Sequence, residues 1–294
     1  MIDLARLERL ARRLDLRLGR RGGRPEPGER RVAVRGRGLT FAGHREYQPG
    51  DDVRDIDWNV TARAGRPFVK VHQQEMAGVV VVAVDVSGSM IAGPTGSAKR
   101  AAALDVAALF LLAAAGTDER IGAIAFTDRI ERYFTPRRGR RHALRLVHAL
   151  DGVQSASRAT ALGPVLQALD HVLRLPAVVI LVSDFADDGY DRALARLSVR
   201  HDIVGVAVGD PRERELPARR LARVEDVETG ATRWLDTSNA RVRDAWAARW
   251  RAIDDARRHA FRSVGAPLVD VDTRQPWLEA LLARQVATRS ELAR

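Results

Sequence analysis

Residues 78–90 read GVVVVAVDVSGSM, and this stretch indicates the class of fold. Its first half is apolar and β-branched at consecutive positions, as expected for a parallel strand covered on both faces. The runs AVVILVSDF at 177–185 and DIVGVAVGD at 202–210 have the same composition. Helical patterns occupy the intervals, including residues 97–115 and 162–173. This alternation predicts an α/β fold with a mostly parallel sheet and helices on both faces.

The chain is predicted to have three parts: residues 1–29, 30–75 and 76–294. The first is an amphipathic helix over 2–19, followed by a linker rich in Gly and Pro. The second has no room for a long helix and is predicted to be a small N-terminal β-rich module with short strands at 31–34, 39–41 and 67–72. The third is the α/β domain. Its other predicted elements are strands at 121–126, 130–134 and 267–271, a hairpin at 224–235, and helices at 141–150, 191–197, 239–262 and from 276 onward.

Composition excludes several classes of protein. Cysteine is absent, which rules out disulfide scaffolds, zinc–thiolate sites and thiol catalysis. The net charge of +11 is concentrated in the first 50 residues, and only Lys70 and Lys99 are lysines. Aromatic residues make up 5%, few for a surface that stacks bases, so we expect no nucleic acid partner. The longest uncharged apolar run, at 106–115, is about half of what a membrane helix needs. The N-terminus has no signal-peptide pattern, and we expect a cytoplasmic protein with no membrane span.

Oxygen-bearing side chains follow the two most apolar strands. Asp85, Ser87 and Ser89 come after the first, Asp184 comes after the second, and Thr160 precedes a helix between them. Because ligands of open α/β sheets bind beyond the carboxyl ends of the strands, these side chains are expected to converge. An all-oxygen set without His or Cys suits Mg²⁺ or Mn²⁺. The alternative is that these residues only cap helix termini.

Two neighbouring features leave alternatives open. Ser155 and Ser157 lie in the same loop as Thr160, and either could be the metal ligand in its place. Asp187 and Asp188 are predicted to cap the helix that follows them rather than to bind a cation.

This pattern resembles the von Willebrand factor A domain and its metal-ion-dependent adhesion site. The resemblance rests on the D-x-S-x-S sequence that ends an apolar strand, a mid-chain Thr and a later strand-ending Asp. By position it implies Asp85, Ser87, Ser89, Thr160 and Asp184 as metal ligands. It also implies a Rossmann-like sheet. Because two carboxylates roughly neutralise a divalent ion and hydroxyls add no charge, we expect an acidic residue of a protein partner to complete the coordination of the metal.

The preceding block, GRGLTFAGHREYQPGDDVRDIDWNVTARAGRPFVKVHQQE, resembles the signature of domain-of-unknown-function family 58. The similar positions include Arg45, Tyr47, the stretch 50–58 and Arg63. The resemblance implies a bacterial adaptor or co-chaperone for a MoxR-type AAA+ ATPase, with no enzymatic activity. Some members have membrane-spanning N-termini, whereas this sequence starts with a charged amphipathic helix.

Three functional hypotheses follow from the sequence. The first is a metal-dependent protein-interaction module that serves the ATPase. The second is a metal-dependent hydrolase or phosphoryl-transfer enzyme, although neither motif loop contains a His, Lys or Glu as a base. The third is a nucleic-acid-binding protein. The stretch GPTGSAKR at 93–100 lacks the adjacent Gly-Lys of a phosphate loop. The acids Asp51, Asp52, Asp55 and Asp57 are interpreted as a turn paired with Arg45, Arg54 and Arg63, and the alternative is a second metal site or general acid/base chemistry.

Overall fold

The computed structural model describes residues 4–11, 39–49, 51–74, 78–91, 98–117, 119–218 and 220–274. The strands are β1 (Leu39–Glu46), β2 (Phe68–Gln74), β3 (Val79–Asp85), β4 (Arg120–Phe126), β5 (Ile130–Arg137), β6 (Val178–Ser183), β7 (Asp202–Gly209), β8 (Ala222–Glu225), β9 (Thr232–Leu235) and β10 (Leu268–Asp272). The helices are α1 (Leu4–Ala11), α2 (Trp58–Ala64), α3 (Gly88–Ile91), α4 (Ala98–Ala115), α5 (Arg140–Asp151), α6 (Leu162–Val172), α7 (Asp191–Arg200), α8 (Pro211–Arg214) and α9 (Ala240–Ser263). The predicted strand at 31–34 and the helix from 276 lie outside the described residues.

A six-stranded sheet in the order β10-β7-β6-β3-β4-β5 forms the centre of the α/β part. All neighbouring pairs are parallel except β4 with β5, which form a hairpin. From β3 the chain runs outward through β4 to β5 and then returns to the other side of β3 as β6. The predicted mixed α/β fold with a mostly parallel sheet is therefore confirmed. The direction of strand addition reverses between β3 and β6, and sheets of this type bind ligands beyond the carboxyl ends of the strands at such a point.

The sheet is covered on both faces, as the apolar runs predict. Every residue of β3 is buried, and Val80, Val82 and Val84 pack with α1, α4 and α5. Val79 and Val81 point to the opposite face, which packs with α6, α7 and α9. This alternation is a consequence of the two-residue period of a strand. β3 is thus a central strand whose side chains contribute to the apolar core on each face of the sheet.

The described residues form two compact units, one with residues 4–11 and 78–274 and the other with residues 39–74. In the first unit, Leu7 and Ala11 of α1 are buried in the core beside α4, and Glu8 forms an ion pair with Arg140. Of the predicted helix at 2–19, only Leu4–Ala11 is described. The boundaries predicted at 29 and 75 fall outside the described residues and remain predictions.

The second unit contains the antiparallel pair β1 and β2, a 3-10 turn at Val53–Asp55 and helix α2. The helix was not predicted. It begins because the Asp57 side chain accepts hydrogen bonds from the backbone N–H groups of Asn59 and Val60. It ends at Gly65, which adopts the left-handed conformation (φ 71°) that glycine tolerates. Local capping, rather than apolar periodicity, defines this seven-residue helix.

No helix within the described parts of the chain combines the length and apolarity needed to cross a membrane.

Candidate functional site

The first site residue, Asp85, ends β3 and has both carboxylate oxygens engaged. Oδ1 accepts a hydrogen bond from the Ser87 N–H at 2.9 Å, and Oδ2 accepts one from the Ser183 hydroxyl at 2.6 Å. Asp85 and Ser87 are buried, and the Ser87 and Ser89 hydroxyl oxygens lie 3.2 Å apart. The DxSxS loop therefore gathers one carboxylate and two hydroxyls at the start of α3.

The second carboxylate belongs to Asp184, directly after β6. Register pairs Val84 of β3 with Val182 of β6, so the two acids follow adjacent parallel strands, as predicted. Asp184 is buried, and its Oδ1 accepts from the Ala186 N–H at 3.2 Å. The hydrogen bonds that Asp85 and Asp184 accept from Ser87 and Ala186 are of the capping type, so the capping alternative accounts for one oxygen of each carboxylate.

The residue after Asp184 has a strained backbone. Phe185 has a φ of 52°, in the left-handed region that a bulky side chain rarely adopts. Its ring is buried between Tyr190 and Phe261, with the Phe261 ring edge-on at a centroid distance of 5.0 Å. Its N–H donates to the Ser183 hydroxyl, which itself donates to Asp85. Core packing thus maintains a conformation that links the two carboxylate-bearing strand ends.

Thr160 reaches the same edge on the loop before α6. The Gly88 N–H donates to the carbonyl of Arg158 at 2.9 Å, and a Cβ at Gly88 would lie only 3.0 Å from that oxygen. The glycine therefore permits close approach of the two loops. Among the residues that the structure describes, the buried Thr160 hydroxyl oxygen has no hydrogen-bond partner, whereas the Ser157 hydroxyl accepts from the Ala159 N–H.

The turn of the β8–β9 hairpin borders this loop. The Glu228 carboxylate accepts a hydrogen bond from the Thr160 N–H at 3.2 Å, and Val227 lies against Gly88. Asp226 holds the turn by accepting from the N–H groups of Glu228 and Thr229. The exposed Glu228 of the chain itself therefore lies beside Thr160, which was predicted to be a metal ligand.

The electrostatics of the two buried carboxylates oppose their simultaneous ionisation. Burial, and then repulsion from Asp184, raises the pKa of Asp85 to about 7. Hydrogen bonds from Ser183 and Ser87 only partly offset this increase. A cation beside both groups would favour the ionised form of Asp85.

A buried lysine, not predicted from sequence, provides one positive charge. The Lys99 Nζ lies 3.2 Å from Asp184 Oδ2 and 2.9 Å from the carboxylate of Glu213. Burial disfavours the ammonium, but the two acids outweigh burial and raise the pKa of Lys99. The local sequence offers no Lys or Glu beside the serines, and the fold brings both from other segments.

The donor set fits a hard divalent cation. Its oxygens belong to Asp85, Ser87, Ser89, Thr160 and Asp184, and the unpartnered Thr160 hydroxyl is the observation that favours a missing ligand. The described residues contain no group of three or more His, Cys, Asp and Glu side chains that could hold a metal ion. A cation here would therefore depend on hydroxyl oxygens in addition to two carboxylates.

Asp187 has a role different from the predicted one. Its Oδ2 accepts from the Leu162 N–H at 2.7 Å, so it caps α6, the helix that follows the Thr160 loop. The following helix, α7, has Tyr190 at its N-cap and no side-chain capping hydrogen bond. The prediction that Asp187 caps that helix is wrong, because a cap can come from any segment whose oxygen reaches the free N–H groups.

The fold neighbours in solved structures are distant. A conserved hypothetical protein, BatB from Bacteroides thetaiotaomicron, aligns with a TM-score of 0.42 and 14% identity over 73% of this chain and all of that one. An aerotolerance-related membrane protein from Bacteroides fragilis aligns with a TM-score of 0.43 and 14% identity over 70% of this chain and 96% of that one.

Sequence relatives are closer. The uncharacterized protein Rv1480 of Mycobacterium tuberculosis is 32% identical over 250 residues, which cover 83% of this chain and 78% of that protein. The uncharacterized protein MAV169 of Mycobacterium avium is 34% identical over 131 residues, 44% of this chain and 75% of that protein. The family model described as "Protein of unknown function DUF58" matches residues 43–256. With most of its length matched, the chain belongs to the DUF58 family.

Proposed function

We propose that this protein is a metal-dependent protein-interaction module with a von Willebrand factor A-like domain. A single observation carries the proposal: Asp85 and Asp184 lie at the ends of adjacent parallel strands, where Asp184 disfavours ionisation of Asp85. The loop that contacts Gly88 of the DxSxS segment also contains a buried Thr160 hydroxyl without a hydrogen-bond partner among the described residues. Mg²⁺ or Mn²⁺ is the cation that this oxygen set favours.

Binding of a protein acid would follow from the charge of the site. A bound divalent cation supplies positive charge and open coordination positions. Asp85 and Asp184 balance its two charges, and the hydroxyls of Ser87, Ser89 and Thr160 add none. A further carboxylate from an Asp or Glu of a partner is then a favourable ligand, because charge-assisted contacts to oxygen anions are stronger than neutral ones.

The proposed partner is a MoxR-type AAA+ ATPase, for which this chain would act as an adaptor or co-chaperone. This part of the proposal is supported by the similarity of residues 36–75 to the family signature rather than by the geometry of the cation site. The ATPase would perform the ATP-driven work, so this chain would need to supply only a regulated contact.

The hydrolase alternative has one observation in its favour, since Lys99 contacts both Asp184 and Glu213. However, a lysine paired with two carboxylates stays protonated and is not a base. The contacts of Lys99 and Glu213 therefore favour a role in balancing charge over a role in catalysis.

The proposal is tested by calorimetric titration of MgCl₂ and MnCl₂ into wild type, Ser87→Ala and Asp184→Asn. Binding to the purified ATPase is then measured with cation and with EDTA. We expect both substitutions and EDTA to abolish ATPase binding, while Ser263→Ala, which alters a serine on α9 whose hydroxyl donates to the Ala260 carbonyl, has no effect. Undiminished binding in EDTA would remove the metal from the mechanism. A hydrolase activity that is lost in Asp85→Asn would favour the alternative.

A further inference from the structure

Lys99 is a buried charge at an unfavourable position. It lies in the first turn of α4, where the helix dipole disfavours a cation, and its side chain is 3% exposed. The ammonium is stabilised there by Asp184 and Glu213, at 3.2 and 2.9 Å. One of its two partners is thus a proposed cation ligand and the other is not.

Glu213 is held in place by the rest of the α/β unit. The indole N–H of Trp246 on α9 donates to the Glu213 carbonyl at 2.8 Å. The neighbouring Arg214 pairs with Asp254 of α9 at 2.8 Å, and Asp254 pairs with Arg257 at 3.2 Å. Arg257 in turn donates to the Asp184 carbonyl at 3.4 Å. Glu213 is therefore a fixed second acceptor for the lysine.

We propose that Lys99 competes with the divalent cation for Asp184 and thereby sets the affinity of the site. This inference rests on the proposed function. A divalent ion at Asp184 repels the ammonium, which shifts its interaction toward Glu213. Because Glu213 already lies 2.9 Å away, Lys99 keeps a partner and no buried charge is left uncompensated.

The competition predicts that substitutions of Lys99 and of Glu213 change the affinity for Mn²⁺ in opposite directions. Lys99→Met removes the competitor, and we expect the dissociation constant for Mn²⁺ to fall about tenfold. Glu213→Gln removes the alternative partner and leaves Lys99 dependent on Asp184, so the dissociation constant should rise about tenfold.

The electric field of the two charges alone predicts the same directions of change in affinity. A double variant distinguishes this field effect from competition by Lys99. In the Lys99→Met background, competition predicts that Glu213→Gln changes the affinity less than about threefold, because no lysine remains to be released. Simple field effects predict that the two changes add. Arg129→Met is the matched control, since it removes an exposed cation that follows β4 at the same sheet edge and should change affinity little.

The experiment is calorimetric titration of MnCl₂ into wild type, the two single variants, the double variant and Arg129→Met, with thermal unfolding as a check of folding. Glu213→Gln keeps the Lys99–Asp184 pair and tests the inference even if Lys99→Met does not fold. Equal affinities in wild type, Lys99→Met and Glu213→Gln would overturn the inference and leave the proposed function intact. Binding by Lys99→Met but not by wild type would support the inference and contradict a cation-dependent native function. Lack of binding by both would overturn both.

Discussion

Two acid-containing regions of this chain, the segment 51–57 and the pair Asp85 and Asp184, hold their carboxylates in opposite ways. In the segment, Arg45 forms two hydrogen bonds to Asp51 at 2.6 and 2.5 Å, and Asp52 accepts from the Arg54 N–H. The buried pair instead lies at the ends of two adjacent strands, where Asp184 raises the cost of ionising Asp85.

The pKa directions express this difference. Hydrogen bonds from Arg45 and from the Gln48 N–H hold the pKa of Asp51 below its ordinary value. Burial and Asp184 move the pKa of Asp85 in the other direction, to about 7. The density of acids in a sequence is therefore a poor guide to cation binding, because two acids of the denser segment are already paired with basic side chains, Asp51 with Arg45 and Asp57 with His44. Burial and incomplete pairing distinguish the second region.

The largest expected difference between the regions is the response to a cation. At about 100 times its dissociation constant, Mg²⁺ or Mn²⁺ should raise the free energy of unfolding by about 2.7 kcal/mol. Asp85→Asn should lose this increase and Asp51→Asn should keep it, as measured by urea unfolding of the α/β unit. Equal increases in wild type and Asp85→Asn would contradict the proposed site.

Without a cation, Asp85 itself should destabilise the fold at alkaline pH. Because its pKa is about 7 when folded and about 3.9 when unfolded, the folded state binds more protons between these values. The contribution of protonated Asp85 to the free energy of unfolding is fully present below about pH 4 and is lost as the pH rises through 7. In EDTA at pH 8, Asp85→Asn should be more stable than wild type, by on the order of 2 kcal/mol.

The comparison of pH 5 with pH 8 tests this assignment. The advantage of Asp85→Asn over wild type should be larger at pH 8 than at pH 5. A pH-independent difference would mean that Asp85 does not titrate in this range.

In the surface segment, Asp57 should matter as a helix cap. Its carboxylate accepts from the Asn59 and Val60 N–H groups at 3.0 and 3.3 Å. Asp57→Ala should cost about 1 kcal/mol, measured by hydrogen exchange of the α2 amides, and Asp57→Asn should recover most of it. Unchanged exchange in the alanine variant would show that other contacts begin the helix.

The sequence predicted the parts of the site that depend on local pattern and sheet geometry. The run from Val79 to Val84 is apolar at every position, which indicates a strand covered on both faces. Once β3 and the strand ending at Ser183 are placed in one parallel sheet, their carboxyl ends face the same way. Asp85 and Asp184 then converge because β3 and β6 are also neighbours in that sheet.

The contacts that depend on distant segments could not be predicted in this way. Glu213 lies 114 positions from Lys99, and Asp187 caps a helix that begins 25 positions earlier. Their positions depend on loop geometry and packing rather than on a repeating pattern. One signal was available for Lys99: it is one of two lysines in a chain that otherwise uses arginine. A compact ammonium fits between two buried carboxylates where a planar guanidinium has different geometric needs.

Of the substitutions considered, Asp51→Asn should have the smallest effect on stability. Arg45, the partner of Asp51, is about half exposed, so solvent screens the pair, and an asparagine oxygen can still accept from Arg45 and the Gln48 N–H. We expect Asp51→Asn to alter hydrogen exchange in β1 and β2 less than Asp57→Ala alters it in α2. Because the folded pKa of Asp51 is lowered, its contribution is present above about pH 4 and lost below that value, so any difference from wild type should disappear in acid. If Asp51→Asn instead removed the response of the α/β unit to Mn²⁺, the surface acids would belong to the cation site, and the contrast between neutralised and repelling carboxylates would fail.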